Sequence, residues 1–221
     1  PYAMHIQPIT NLLRKNNGIL PLKPKQPKIL LTGYFLDELL QGGGSALVDG
    51  YNLVPLGKAL KDQFGKSLTI SAKASDKQLA KAEVVILNIG TVDSEGYDRP
   101  FELPAKMETY IKHVLSINPN TIITINSGSG IRMTDWADKA AAILYCWYPG
   151  QNGTKALAEV LAGKTNPSGK LPMTIEREFS ETVGVGYMNN EPFYVGWNDE
   201  GEKAHPLYDL PYTEGIFVGY R

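Results

Sequence analysis

Four carboxylates crowd one short stretch of this chain: Asp93, Glu95, Asp98 and Glu102, with Arg99 among them. Like charges held this close raise the pKa of one member, and a general acid working near neutrality needs such a carboxyl. The same residues also read as a solvated acidic loop partly balanced by Arg99. A calcium site is the lesser option, because the spacing lacks the EF-hand pattern. Two other segments invite a chemical reading. Gly42-Gly43-Gly44-Ser45 is rich enough in glycine to wrap a phosphate, yet no lysine and hydroxyl follow at P-loop spacing and the dinucleotide fingerprint is absent. A mobile or tightly turning loop is the better reading. Asn126-Ser127-Gly128-Ser129-Gly130 has the wrong flanking glycines for a nucleophile elbow at Ser127 or Ser129.

Other chemistries find little support. His5, His113 and His205 are scattered, and His113 falls in a helix of ordinary pattern, so neither a Ser–His–Asp arrangement nor a histidine metal cluster is in view. Cys146 is the single cysteine and lies in the apolar run Ala142–Tyr148. It reads as a core residue; a lone cysteine makes no intrachain disulfide and no cysteine-built metal site. Three tryptophans and twelve tyrosines offer flat faces, most of which core or tail packing will use.

Elements at a sheet edge must carry the three loops Gly33–Tyr51, Thr91–Arg99 and Asn126–Gly130. Near-continuous apolar runs predict strands at Lys28–Leu31, Leu68–Ser71, Val84–Asn88, Thr121–Ile125 and Ala142–Cys146; such runs suit strands covered on both faces. Helical spacing joins Leu53, Leu56, Leu60 and Phe64. It also joins Met107, Ile111, Val114 and Leu115, with Pro104 placed for a first turn, and Ala156, Leu157, Val160 and Leu161 before a Gly163 cap. The alternation implies an α/β fold: a doubly wound, mostly parallel sheet with helices on both faces, in which ligands gather beyond the carboxyl ends of the strands.

The expected organisation has an entry helix, amphipathic over Ile9–Lys15, and a linker in residues 1–27. The α/β sandwich core takes 28–175, and 176–221 form an extended carboxy-terminal segment of the same domain. Length (221 residues) suffices for a sizeable core. The 43% hydrophobic and 20% charged content is that of ordinary globular chains, and a net charge of −1 gives no field to hold nucleic acid or an anionic membrane. No apolar run reaches membrane-spanning length, and no signal peptide is visible.

Several segments in order resemble the second domain of family 3 glycoside hydrolases, the β-glucosidase-like enzymes. Asn11-Leu12-Leu13-Arg14-Lys15-Asn16 with Gly18-Ile19-Leu20-Pro21-Leu22 resembles its entry, and Gly42–Ser45 its glycine-rich loop. Ser94-Glu95-Gly96-Tyr97-Asp98-Arg99, with Leu103-Pro104 behind, resembles its acid/base loop. Asn118-Pro119-Asn120-Thr121, Trp147-Tyr148-Pro149-Gly150-Gln151-Asn152-Gly153, Asn166-Pro167-Ser168-Gly169-Lys170-Leu171-Pro172 and Tyr212–Arg221 resemble further signatures. Each piece is weak; their joint order spans nearly the whole chain.

The resemblance implies half of a retaining exo-β-glycosidase, with β-glucosidase ahead of β-xylosidase. Glu95 would be the acid/base, and an aspartate nucleophile would come from an amino-terminal barrel, the implied partner. The substrate would be an oligo- or aryl β-glycoside, with no cofactor or metal. The sequence leaves the compartment unknown, with secreted or periplasmic slightly ahead of cytoplasmic. Gly96, Asp98 and Arg99 would organise the loop. Ser45 would border the leaving-group subsite, where Ser45-Ala46 lacks the aromatic clamp some relatives have. Without the barrel the chain reads as a fragment inactive on its own. The competing classes are a non-catalytic carbohydrate-binding or scaffold domain with the same fold, and a flavodoxin-like nucleotide binder.

Overall fold

The computed structural model describes residues 12–22, 28–97, 99–181, 193–197, 203–207 and 215. The chain divides into two compact units, Pro1–Lys170 and Leu171–Arg221. In the first unit, six strands form one sheet: β1 (Leu12–Asn16), β2 (Ile29–Gly33), β3 (Leu68–Ile70), β4 (Val84–Gly90), β5 (Thr121–Asn126) and β6 (Ala142–Tyr145). Their spatial order is β1-β6-β5-β4-β2-β3, and every pairing is parallel except β1 with β6.

Burial explains why these strands read as unbroken apolar runs. Every residue of β2, β4, β5 and β6 is buried, and alternate residues serve opposite faces. On one face Ile29, Leu31, Val84, Ile86, Ile122 and Leu144 pack with Leu56 and Leu60 of α1 (Leu56–Phe64) and Leu157 and Leu161 of α4 (Gly153–Leu161). The intervening residues Leu30, Val85, Leu87, Ile123 and Ile143 are buried too. The helices α2 (Asp76–Lys81) and α3 (Ala105–Ile117) contact each other and bury Leu79, Ile111 and Val114. Full burial of such a side chain is worth about 1.5–3 kcal/mol, which makes this double-faced core the main source of stability.

Two elements depart from the sequence reading. Leu12–Asn16 belongs to a strand, where an entry helix was expected; Ile9–Asn11 lie outside the described residues. Pairing with β6 gives backbone groups at that sheet edge their partners, and the register shifts between Leu13 and Lys15. Lys15 Nζ then reaches the carbonyl oxygens of Ala137 (3.2 Å) and Asp138 (2.7 Å). These long-range contacts outweigh a weak local helical period. The second departure is α2, which lacks a long apolar period. A capping box starts it: Ser75 Oγ accepts the Gln78 N–H, and the Gln78 side chain accepts the Ser75 N–H at 2.9 Å.

In the second unit, β7 (Phe193–Trp197) and β8 (Lys203–Leu207) pair antiparallel. The segment expected to be extended therefore contains a two-stranded ladder.

Counted among the parallel strands alone, the order is 2-1-3-4-5. Its switch point falls between β2 and β4, where the first crossover and the next leave in opposite directions. In open sheets ligands gather outside the carboxyl ends of the strands at such a point, and the loops after Gly33 and Gly90 both begin there.

Candidate functional site

The loops after β2 and β4 meet through backbone. Gly43 N–H donates to Asp93 O (2.8 Å), and Gly43 and Ser94 form an isolated parallel bridge. Ser94 and Tyr97 close a tight antiparallel turn with Glu95 and Gly96 at its tip, Gly96 at φ +72°. Glu95 is exposed there, and its Oε2 accepts the Ser45 N–H at 2.9 Å.

The glycines of Gly42–Gly44 permit this approach. A Cβ on Gly44 would lie 2.8 Å from Glu95 Cβ, and its φ of +65° is one that other residues rarely adopt. The glycine run thus forms a seat for the Glu95 turn, a pairing fifty residues apart in sequence.

The carboxylate at this tip differs from expectation. The Ser45 hydroxyl first, and its N–H second, hold Glu95 below the ordinary glutamate range. Local crowding predicted a raised value for one of the four carboxylates, and Glu95 is not that one. Solvent exposure and donors from the glycine-rich loop reverse the sign, because hydrogen bonds to the charged form favour it.

The other carboxylate on the loop, Asp93, is a hub. Its Oδ1 meets Arg99 Nε in a largely buried ion pair. Its Oδ2 accepts from Gly128 N (2.6 Å) and from the Tyr148 and Thr91 hydroxyls (2.8 and 3.0 Å). Tyr148 has one proton and three neighbours: besides Asp93 Oδ2, its oxygen lies 2.9 Å from Thr91 O and accepts the Asp93 N–H at 2.8 Å. Burial pulls the Asp93 carboxyl up, but Tyr148, Gly128, Arg99 and Thr91 together outweigh it and hold the group below the usual aspartate range. Burial raises Tyr148 above the usual phenol value, as does its bond to Asp93, and takes Tyr145 up to about 12. Both phenols stay neutral donors at working pH.

Arg99 extends the network to the loop after β5. Its Nη2 donates to Ser129 Oγ (2.7 Å), Gly130 O (2.9 Å) and Ser127 Oγ (3.1 Å). Ser127 and Ser129 are anchors here, and among the described residues neither faces a histidine.

Of the sequence-derived site residues, Glu95, Ser45 and Gly96 meet at one tip, and Arg99 lies in the supporting layer. Asp98 is outside the described residues. The reading missed the roles of Tyr148 and Asp93. In the sequence Tyr148 stands only in an apolar run and a signature segment, and Asp93 is one of four acids. The two bridged loops also expose Leu47, Val48, Tyr51, Val92 and Tyr97. Beside them an open cleft of about 330 Å³ runs between Leu39, Gly42, Val48, Leu53 and Tyr148. Among the described residues, no group of three or more His, Cys, Asp or Glu side chains could hold a metal ion, and no helix is long and apolar enough to cross a membrane.

A depressed carboxyl leaves a measurable trace. Asp93 has its pKa lowered by folding, so the stability it contributes is present above the unfolded aspartate value of about 3.9. That contribution is lost as pH falls through the lower, folded value. The urea midpoint of this chain should therefore drop as the pH falls below about 4, and Asp93→Asn should flatten that drop. An unchanged slope in the variant would mean that other carboxylates carry the acid sensitivity.

A family model, the glycosyl hydrolase family 3 C-terminal domain, matches residues 10–220. The chain belongs to this family. An exo-α-(1→6)-L-arabinopyranosidase of Bifidobacterium breve is 30% identical over 236 residues, which cover 95% of this chain and 29% of that protein. A β-glucosidase of Rhizobium radiobacter is 33% identical over 180 residues, covering 80% of this chain and 20% of that protein. Among solved structures, β-glucosidase 3B of Thermotoga neapolitana in complex with glycerol superposes with a TM-score of 0.77 at 25% identity, over 98% of this chain and 34% of its own. The family 3 β-glucosidase of Bifidobacterium adolescentis gives 0.74 at 28%, over 99% and 32%. The family 3 domain thus spans between about a fifth and a third of these relatives' length. The fold it shares with them is the doubly wound α/β sandwich derived above.

Proposed function

We propose that this domain supplies the acid/base residue of a retaining exo-β-glycosidase, β-glucosidase first among the specificities, and that Glu95 is that residue. The observation that carries the reading is the exposed Glu95 carboxylate, held at the tip of a turn by the Gly43–Ser45 segment at the carboxyl edge of the sheet. In the parent chain an amino-terminal barrel would present an aspartate nucleophile, with the two carboxyl groups roughly 5–5.5 Å apart. The relatives support the reading: one is a β-glucosidase and another an exo-acting arabinopyranosidase.

Glu95 would first give its proton to the glycosidic oxygen as the bond to the anomeric carbon breaks and the aspartate attacks. It would then take a proton from the water that displaces the glycosyl-enzyme. In the described domain Glu95 favours the ionised form, which suits the second step. The first step needs the protonated form, so substrate and barrel would have to desolvate the turn and weaken the Ser45 contact. The exposed apolar residues of the two loops offer the surface for such a closure.

The test is the pH dependence of kcat/KM in the full-length parent. The wild type should lose activity on the basic side as Glu95 ionises, and Glu95→Gln should lack that limb. The isolated 221-residue chain should hydrolyse nothing. A basic limb unchanged in Glu95→Gln would assign the acid elsewhere.

A further inference from the structure

Resting on the reading of Glu95 as acid/base, we infer that Asp93 is its positioning residue, fixing the turn through a partly buried, charge-balanced hub without touching the substrate. Asp93 precedes Glu95 by two residues, and its carboxylate is used up internally. Arg99 holds one oxygen, while Gly128 N–H, Tyr148 and Thr91 hold the other. That excludes it as proton donor and makes it an anchor. Three loops leaving three strands converge on it, so its place is set by the sheet and not by its own segment alone. Its backbone passes the constraint on. Asp93 O accepts the Gly43 N–H at 2.8 Å, the Gly43–Ser94 bridge follows, and Ser45 N–H then reaches Glu95 Oε2 at 2.9 Å.

The room around Asp93 is limited. A Cβ on Gly128 would fall 2.9 Å from both Asp93 Oδ2 and Tyr148 Cε2. Asp93→Asn keeps the shape, removes the charge that faces Arg99, and turns one acceptor into a donor among donors. The hub must then rearrange, and displacements of about 1 Å at a catalytic group cost on the order of a hundredfold in rate.

The experiment uses the full-length parent and two aryl β-glucosides, one with a good and one with a poor leaving group. Asp93→Asn should lower kcat/KM on the poor leaving group by roughly 10- to 100-fold and on the good one by less than about 3-fold. In a Glu95→Ala background it should cost nothing further, because residues acting through one group are non-additive. Tyr148→Phe, which removes one hydroxyl, should show the same pattern at smaller size, and it keeps the test open if Asp93→Asn fails to fold. Equal losses on both substrates, or losses that add to those of Glu95→Ala, would overturn the inference. If Glu95→Ala alone loses both substrates alike, the acid/base reading falls and takes this inference with it. If Glu95→Ala is selective and neither Asp93→Asn nor Tyr148→Phe is, only the positioning role falls.

Discussion

In the full-length parent, Glu95→Ala is expected to slow hydrolysis of an aryl β-glucoside with a poor leaving group by about 10²–10⁴-fold, the usual worth of a positioned general acid. A phenol of high pKa cannot depart as an anion without a proton, so the glycosylation step should take nearly the whole loss. An activated aryl group departs unaided, so its bond cleavage should survive. The glycosyl-enzyme should then accumulate, because the water that releases it has lost its base. KM should fall together with kcat on that substrate, the kinetic sign of a trapped intermediate. Azide should restore turnover by attacking the intermediate directly, since an anion needs no deprotonation, and the product should be the β-glycosyl azide. Equal losses on both substrates without azide rescue would give Glu95 a structural role. Asp93 would be a poor replacement for it, since every donor around its carboxylate is already engaged.

Gly33→Ala should be the most damaging single methyl in the fold's central strands. Gly33 ends β2 with φ +109°, and a Cβ there would lie 2.2 Å from the Asn88 carbonyl oxygen and 2.9 Å from Leu87 Cδ1. The first of these neighbours is backbone of the adjacent strand and cannot swing aside. Its oxygen also accepts the Tyr34 N–H at 2.9 Å. Strain from the positive φ and overpacking against β4 should together cost about 3 kcal/mol or more, read as a lowered urea midpoint of this chain. The same change should loosen the strand ends at the switch point, because the loop that seats Glu95 starts one residue later. A cost under about 1 kcal/mol would mean that the two strand ends can part without harm.

The core was legible because its physics is local. Val84-Val85-Ile86-Leu87 has no polar face, and a run this short and β-branched suits a strand covered on both sides. Leu56–Leu60 and Met107–Leu115 carry helical spacing, since each of those helices buries one stripe. Helix α2 could have been found from its capping box at Ser75 and Gln78. The strand Leu12–Asn16 could not, because its identity depends on an edge over a hundred residues away. The site followed the same division. Glu95 stood out by its motif, while the sign of its pKa shift was set by Ser45, whose presence no local pattern announces. Asp93 looked like one acid among four until Gly128 and Tyr148 were brought to it by β5 and β6.

The edge made by Leu12–Asn16 has a meaning for how the domain behaves toward copies of itself. Beneath that strand lies Ala142–Tyr145, four buried residues with no charge among them. An uncovered ladder of this kind is a template for any other extended chain. The opposite edge, β3, is only three residues long, with Lys66 and Lys73 close by, features that discourage such pairing. Residues 12–16 replace the β6 edge by one that carries Arg14 and Lys15 and a register shift between Leu13 and Lys15, features that discourage further pairing. Trimming them away would leave the loops after β2 and β4 at the other end of the strands untouched and bare β6, with no charged residue of its own, as the new edge.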